Sequence, residues 1–280
     1  MTSTELLADA LAAYAAGDRD RAAELARRAG SPLADELRIF LAGDSAAPVY
    51  DQPSAFTAFI RGGGNVELYR RLSDELAARY DAAKPESLLD LGCGDGLAVV
   101  PALERAAHTP ARIDLVEPSG ALLDDVRERV PAAQCWQATA QEFLARDDLG
   151  WDFAQSTFAL QSIEPEQRAE VLRTLQPRTG TLVLAEFDVP EYAEGSPEHL
   201  RSLAARYERG VAEYGADASL VAQGFLLPVL LGIVSGQRRT NWEHPAEVWV
   251  AQLKTAGFTE VGVEPLAGYW WSPAVLITAC

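Results

Sequence analysis

The sequence predicts an α/β fold in which helices cover both faces of a mostly parallel β-sheet. From residue 87 onward, short apolar runs end in a glycine or an acidic residue. Helical stretches of about ten to fifteen residues separate these runs, and that alternation is typical of βαβ units. The turn after the first run contains Gly92, Gly94 and Gly96. Such spacing is typical of a ligand-binding turn between a strand and a helix.

The composition is that of an ordinary globular protein. The chain has 280 residues, of which 48% are hydrophobic and 23% are charged. Its formal net charge of −17 repels phosphate backbones and lipid headgroups, so we expect neither nucleic acid nor a membrane as a partner. Three cysteines without C-x-x-C spacing predict no zinc site and a reducing, cytoplasmic location. The N-terminus lacks a signal-peptide pattern, and the apolar run 225–234 is too short to span a membrane.

Residues 1–64 are predicted to form an N-terminal helical lid that ends in a hinge. Its short amphipathic helices break at Gly17 and Gly30, and the next residues, Asp18 and Ser31, are good N-caps. The segment closes with three consecutive glycines, which suit a flexible hinge.

Three further segments complete the predicted organisation. The ligand-binding core covers residues 65–189 and begins with a helix that Asn65 can cap. Residues 190–240 interrupt the alternation with two helical patterns, and an insertion at the carboxyl edge of a parallel sheet lies where ligands bind. Residues 241–280 complete the core with a helix over 245–256 and an antiparallel hairpin. The predicted strands include residues 87–91, 112–117, 151–156, 181–187 and 274–279.

The sharpest motif is D-L-G-C-G-D-G at residues 90–96. The dinucleotide fingerprint G-x-G-x-x-G needs a glycine where Leu97 stands, so a nicotinamide oxidoreductase is disfavoured. The spacing G-x-G-x-G after an acidic residue, with Glu117 ending the next strand, resembles class I S-adenosylmethionine-dependent methyltransferases. The resemblance covers residues 85–189 and 245–280.

The resemblance implies a Rossmann-like, doubly wound, seven-stranded sheet with an antiparallel terminal hairpin. It also implies S-adenosylmethionine as the methyl donor and S-adenosylhomocysteine as the product. Glu117 would accept hydrogen bonds from both ribose hydroxyls. Thr139 and Ala140 would contact the adenine, and Ser156 and Phe158 would lie near the methionine part of the donor. The implied donor-binding residues are Tyr50, Arg61, Gly92, Gly94, Glu117, Pro118, Thr139, Ala140, Ser156 and Phe158.

Some positions depart from the family pattern or have two interpretations. Thr139 stands where an aspartate is usual, and Gln161 and Ser162 stand where related enzymes often have two histidines. Arg61 and the adjacent glycines are expected either to hold the donor carboxylate or to serve only as a hinge. Tyr50 is expected to cover the donor.

The catalytic candidates are Glu186, His199 and Tyr207. Methyl transfer from a sulfonium is an in-line displacement, so alignment supplies most of the catalysis and a base is needed only if the acceptor loses a proton. Glu186 is the preferred acceptor contact because it ends a strand at the crevice, and a structural role is the alternative for each residue. The sequence has no His, Asp and Glu cluster with metal-site spacing, so we expect metal-free chemistry.

The aromatic residues of the insertion and the terminal hairpin predict a small, aromatic acceptor. The chain resembles actinobacterial methyltransferases of natural-product pathways. The segments FIRGGGNVELY and EFDVP are similar to indole C-methyltransferases of the physostigmine-pathway type, which implies methylation at indole C3. Three alternatives remain: O- or N-methylation of a phenol or amine, protein methylation, and a catalytically silent donor-binding protein. A homodimer is also left open.

Overall fold

The computed structural model describes residues 1–43, 53–146, 149–237 and 239–280. The chain divides into two compact units. The helical unit comprises residues 1–66, 191–239 and 269–272, and the sheet unit comprises residues 67–190, 240–268 and 273–280. Tyr50 lies outside the described residues, so its predicted role stays a prediction.

Seven strands of the described chain form one sheet with the order β3-β2-β1-β4-β5-β7-β6. The strands β1 to β5 pair in parallel, whereas β7 runs antiparallel to both of its neighbours, β5 and β6. This architecture confirms the predicted α/β, Rossmann-like sheet and its antiparallel hairpin. In chain order the strands are β1 Ser87–Leu91, β2 Arg112–Glu117, β3 Gln134–Gln137, β4 Trp151–Thr157, β5 Thr179–Phe187, β6 Val261–Ala267 and β7 Ala274–Ala279.

Burial of both faces explains why the central strands have continuous apolar sequences rather than alternating apolar and polar residues. In β1 and β2, every residue after the first is buried, as expected for central parallel strands covered on both faces. The edge strand β6 is mostly exposed. The helices that begin in or belong to the sheet unit are α5 Asn65–Ala83, α6 Val99–Arg105, α7 Gly120–Arg129, α8 Ala140–Leu144, α9 Pro165–Leu175 and α13 Ala246–Ala256.

The helical unit has its own apolar core, to which α1, α10 and α12 contribute. Asp18 accepts a hydrogen bond from the Arg21 N–H, and Ser31 accepts one from the Ala34 N–H, so both predicted N-caps are confirmed. The core includes Leu7, Leu11, Tyr207, Leu230 and Trp270. The helices of this unit are α1 Ser3–Ala15, α2 Arg19–Ala29, α3 Pro32–Ala42, α4 Pro53–Ile60, α10 Pro197–Ala212, α11 Ala218–Val221 and α12 Leu227–Val234.

One helical stretch in the described chain is long and apolar enough to cross a membrane by length and composition. It runs over Gly215–Val234, has a mean hydropathy of 1.8, and is 39% buried in its most apolar part. The sequence predicted no membrane span because the apolar run covers only residues 225–234, and Gly224 and the polar residues before it interrupt that run. A five-residue π-helix, Ala222–Leu226, joins α11 to α12 and keeps the helix continuous there. Such a stretch is also typical of a core helix, and six of its residues belong to the core of the helical unit.

Candidate active site

The turn after β1 contains three glycines with positive φ values, and only the middle one has free space where a Cβ would be. Gly92, Gly94 and Gly96 have φ values of 78°, 57° and 75°, in the left-handed region that favours glycine. A Cβ on Gly92 would lie 2.4 Å from the Ala159 side chain, and one on Gly96 would lie 2.5 Å from Val100. A Cβ on Gly94 would meet no described atom within 4 Å. Two of the glycines are therefore required by packing, whereas Gly94 borders open space.

A buried carboxylate lies directly beside this open position. Glu117 ends β2, and its Oε2 accepts a hydrogen bond of 3.1 Å from the backbone N–H of Gly94. Its Oε1 accepts a second bond of 2.9 Å from the Ser119 N–H. Each carboxylate oxygen can accept more than one hydrogen bond, so Glu117 keeps acceptor capacity for ligand hydroxyls.

Phe158, which follows β4, has a strained backbone. Its φ of 52° is unusual for a residue with a side chain, and its N–H donates to the Ala185 carbonyl at 2.8 Å. The ring stacks on Phe187 with a centroid distance of 4.6 Å, and Tyr69 meets it edge-on at 6.0 Å. Strained residues held by their surroundings cluster at functional sites, which supports the predicted placement of Phe158 near a ligand.

Ser156 uses its hydroxyl inside the sheet. The side chain is buried, and its Oγ donates to the Leu91 carbonyl at 2.7 Å. This bond joins the end of β4 to the end of β1, immediately before the glycine turn. The predicted contact of Ser156 with the donor stays a prediction, but the structure gives the residue a role in holding the turn.

The predicted adenine-contacting residues begin a short helix. Thr139 is the N-cap of α8, and its hydroxyl accepts from the Glu142 N–H while Glu142 accepts from the Thr139 N–H. Ala140 is half-buried, and the exposed Pro118 follows β2. All three lie just past the carboxyl ends of neighbouring strands, where ligands of parallel sheets bind.

The glycine triplet of the helical unit packs against that unit's own side chains. The Gly64 N–H donates to Glu213 Oε2 at 2.8 Å, and a Cβ on Gly63 would lie 2.9 Å from the Tyr214 ring. The Gly64 N–H is thus paired with Glu213, and the predicted cradle for a donor carboxylate stays a prediction. Arg61 is exposed, and its predicted pairing with the donor stays a prediction.

Glu186 is a buried acid near the end of β5. Its side chain is only 1% exposed, and among the described residues its Oε1 has no hydrogen-bond partner. Burial raises the pKa of Glu186 well above its usual value, although Arg168 and the Gln161 N–H act in the opposite direction. Burial therefore favours the protonated form of this side chain over the carboxylate.

His199 and Tyr207 both belong to α10 in the helical unit, whereas Glu186 belongs to the sheet unit. His199 Nδ1 accepts from the Gly195 N–H at 3.2 Å, and burial lowers the pKa of the ring. Tyr207 is buried, with Trp270 and Trp271 edge-on at 5.5 and 5.8 Å. The two residues are eight positions apart, which is about 12 Å along the helix, so they do not form a catalytic pair. Their catalytic roles stay predictions.

Two buried polar features escaped the sequence analysis. Arg168 lies over the Trp249 ring at 4.2 Å and donates to the Trp242 carbonyl at 3.0 Å, which anchors the segment before α13. Gln155 bridges Tyr80 and Asp90 in the middle of the sheet. For Gln155, the only signal in the sequence was a polar residue within an otherwise apolar strand. In the described ranges, no group of three or more His, Cys, Asp or Glu side chains is arranged to hold a metal ion.

Comparison with known proteins identifies the fold. No family model matches the chain. A mitomycin 7-O-methyltransferase structure superimposes with a TM-score of 0.52 at 15% identity, covering 94% of this chain and 71% of that one. An O-methyltransferase family protein from Burkholderia thailandensis gives 0.53 at 12% identity, covering 89% and 70%. The chain has the class I methyltransferase fold.

A curated relative matches over a shorter region. The trans-aconitate 2-methyltransferase of Paracidovorax citrulli (strain AAC00-1) is 37% identical over 81 residues, which are 26% of this chain and 30% of the relative. The match thus spans less than a third of that relative's length. In the methyltransferase fold seen here, the strand order reverses between β1 and β4. Ligands of open α/β sheets bind at such a switch point, and the open Gly94 lies beside it.

Proposed function

We propose that this protein is an S-adenosylmethionine-dependent methyltransferase that acts on a small, aromatic molecule. The observation that carries the proposal is the open face of Gly94 next to the buried Glu117 carboxylate, at the switch point of the sheet. A donor with a ribose fits this arrangement because the glycine lets the backbone approach it while the carboxylate accepts from its hydroxyls.

The bound donor supplies an electrophilic methyl group on a sulfonium. Gly92 and Gly94 shape the turn, and Glu117 and Pro118 would hold the ribose. Thr139 and Ala140 would hold the adenine, and the fixed ring of Phe158 would hold the methionine part. Because in-line transfer depends on alignment in a dry site, the main task of these residues is to hold the donor rigidly.

Glu186 acts on the acceptor side as a hydrogen-bond donor. Burial raises its pKa and so favours the protonated form, which donates a hydrogen bond instead of removing a proton. Its Oε1, which has no hydrogen-bond partner among the residues that the structure describes, also suits an acceptor that carries an O–H or N–H group. His199 and Tyr207 of the helical unit are further catalytic candidates.

A phenolic oxygen is the first acceptor to test, because the two solved structures with related folds carry the name O-methyltransferase. Indole C3 and amine nitrogen are the other candidates, supported by the residue patterns of the segments around Arg61 and Glu186. A cytoplasmic location is part of the proposal and is supported by the three cysteines without C-x-x-C spacing. The proposed absence of nucleic-acid partners is supported by the charge of −17.

The decisive experiment is calorimetric titration of the protein with S-adenosylhomocysteine and, separately, with NAD. We expect a micromolar Kd for the first and no heat of binding for the second. A panel of phenols, indoles and amines is then incubated with S-adenosylmethionine, and methylated products are detected by mass spectrometry. Binding without turnover on any acceptor would favour a donor-binding protein, and absence of binding would contradict the proposal.

A further inference from the structure

A buried arginine connects three segments of the sheet unit. Arg168 lies on α9, and its side chain is buried. Its Nε donates to Gln252 Oε1 on α13 at 3.0 Å, and the guanidinium carbon lies 4.2 Å from the centre of the Trp249 ring on the same helix. Since a guanidinium is planar and donates in fixed directions, these two contacts with α13 determine its orientation.

The same guanidinium joins two loops that meet at Gln161. Its Nη1 donates to the Leu160 carbonyl at 3.3 Å and to the Trp242 carbonyl at 3.0 Å. Leu160 begins the 3-10 turn Leu160–Ser162, which follows β4, and Trp242 lies in the loop 240–245 before α13. The Trp242 N–H donates back to the Gln161 carbonyl at 2.7 Å. The guanidinium therefore holds the turn and the loop in one arrangement.

The turn transmits this arrangement to Glu186. The Leu160 carbonyl and the Gln161 N–H belong to one planar peptide group, so they point in opposite directions. The carbonyl accepts from Arg168, and the N–H donates to the Glu186 carboxyl. Glu186 Oε1 is buried and has no hydrogen-bond partner within the described ranges. Because hydrogen bonds in a chain polarise one another, the cation at one end of the peptide strengthens the bond at the other end.

Two further hydrogen bonds attach the loop before α13 to the residues that follow β5. The Val189 N–H donates to the His244 carbonyl at 3.2 Å. Asp188 Oδ1 accepts from the Ala246 N–H, at the start of α13, at 2.8 Å. These bonds do not involve the guanidinium. Its loss should therefore loosen the turn without releasing the loop or unfolding the sheet unit.

We propose that Arg168 is a positioning residue for the acceptor-side acid. It orients the peptide group between Leu160 and Gln161, so that the Gln161 N–H fixes the Glu186 carboxyl and leaves Oε1 available to the acceptor. The inference rests on the proposed function, because it assigns a role in the reaction through Glu186. Arg168 itself touches neither the donor nor the acceptor in this role.

The first test needs no substrate. Amide hydrogen exchange is measured by mass spectrometry on the full-length wild type and on Arg168→Met, which keeps an apolar stem and removes the guanidinium. We expect exchange to become about tenfold faster in the segments 158–163 and 240–246, because each loses a hydrogen bond that restricts its opening. Exchange in β1 and α5 should stay unchanged, which separates local loosening from general destabilisation.

The matched control is Arg178→Met. Arg178 precedes β5, at the opposite end of that strand from Glu186, and its Nη1 donates to the Leu144 carbonyl at 2.9 Å. The variant therefore also removes a guanidinium that binds a backbone carbonyl. Exchange in the segments 158–163 and 240–246 should match that of the wild type.

The second test uses the acceptor that the screen identifies. Arg168→Met should lower kcat about tenfold and keep the Kd for S-adenosylhomocysteine within about threefold of the wild-type value, since it acts on the acceptor side. The double variant Arg168→Met with Glu186→Ala should have the kcat of Glu186→Ala alone, because both changes remove the same contact. Gln252→Leu removes the acceptor of the Arg168 Nε, should lower kcat less in the same direction, and replaces Arg168→Met if that variant does not fold.

Each outcome decides the inference. Unchanged exchange in both segments of Arg168→Met overturns it, and so does a double variant whose kcat falls by the product of the two single losses. Both results leave the proposed function intact when the wild type binds S-adenosylhomocysteine and methylates an acceptor. If the wild type does neither, Glu186 has no acceptor to contact and both proposals fail.

Discussion

At the scale of single residues, burial changes what the acidic side chains can do. Glu117 keeps its two backbone hydrogen bonds and remains an acceptor, whereas burial raises the pKa of Asp90 and Glu186. A carboxyl at the end of a parallel strand therefore serves as a carboxylate or as a neutral acid, depending on its partners.

Glu117→Ala should weaken S-adenosylhomocysteine binding at least tenfold and leave the fold intact. Hydrogen bonds to a charged group contribute about 1.5–3 kcal/mol each, which corresponds to a factor of ten or more in Kd. The control is Asp124→Asn, an exposed carboxylate on α7. Equal affinities for Glu117→Ala and the wild type by calorimetry would contradict the ribose assignment.

Glu186→Gln should keep kcat within about threefold at pH 7, because glutamine is neutral and still donates a hydrogen bond. Glu186→Ala should lower kcat by tenfold or more and leave a buried gap. Both are measured by product formation with the acceptor that the screen identifies. A large loss in Glu186→Gln would mean that Glu186 removes a proton in the reaction.

At the scale of elements, the predictions succeed where the cause is local. The caps at Asp18 and Ser31, the strand segments and the terminal hairpin follow from residue periodicity and capping chemistry. The left-handed backbone of Phe158 and the bridge through Gln155 depend on which strands become neighbours, so no local pattern reports them.

The glycine turn offers a matched pair of variants. Gly92→Ala should lower the free energy of unfolding by more than about 2 kcal/mol, because the new Cβ would lie 2.4 Å from the Ala159 side chain. In Gly94→Ala the new Cβ would contact no described atom. The free energy of unfolding should therefore fall by only about 1 kcal/mol, because alanine is strained at a positive φ. Its Cβ enters the open space instead and should abolish donor binding. Denaturant unfolding and calorimetry separate the two effects, and unchanged affinity in Gly94→Ala would place the donor elsewhere.

The N-cap of α2 gives a test of the helical unit. Asp18→Ala should lower the free energy of unfolding by about 1 kcal/mol, because the Arg21 N–H loses its acceptor. Asp18→Asn should have little effect, since asparagine caps as well as aspartate. A loss of the same size in both variants, measured by urea unfolding, would assign the effect to charge rather than capping.

At the scale of the whole molecule, the buried acids make stability depend on pH. The pKa of Asp90 is about 7 in the folded protein, against an ordinary value of 3.8, because the carboxyl is buried, so the folded state binds the proton more tightly. The stabilisation from this proton is complete below about pH 4 and is lost as the pH rises through 7. The net charge of −17 also adds self-repulsion as the remaining acids ionise.

Asp90→Asn should therefore stabilise the protein more at pH 7.5 than at pH 5. The expected difference between the two pH values is about 2–3 kcal/mol in the free energy of unfolding, relative to the wild type. Urea unfolding at both pH values measures it, with Asp152→Asn as the control. A stability difference that does not grow with pH would show that Asp90 is ionised in the folded protein at both values.

The helical unit is assembled from three separate stretches of chain: residues 1–66, the insertion 191–239 and the four-residue loop 269–272. The insertion therefore cannot be exchanged alone for the insertion of another protein. The apolar residues of a foreign insertion would pack against the α1 leucines and Trp270. These side chains complement the present insertion, so the new apolar face would pack poorly. Changes of acceptor specificity by recombination must carry all three stretches together, whereas point substitutions within one stretch keep the shared core.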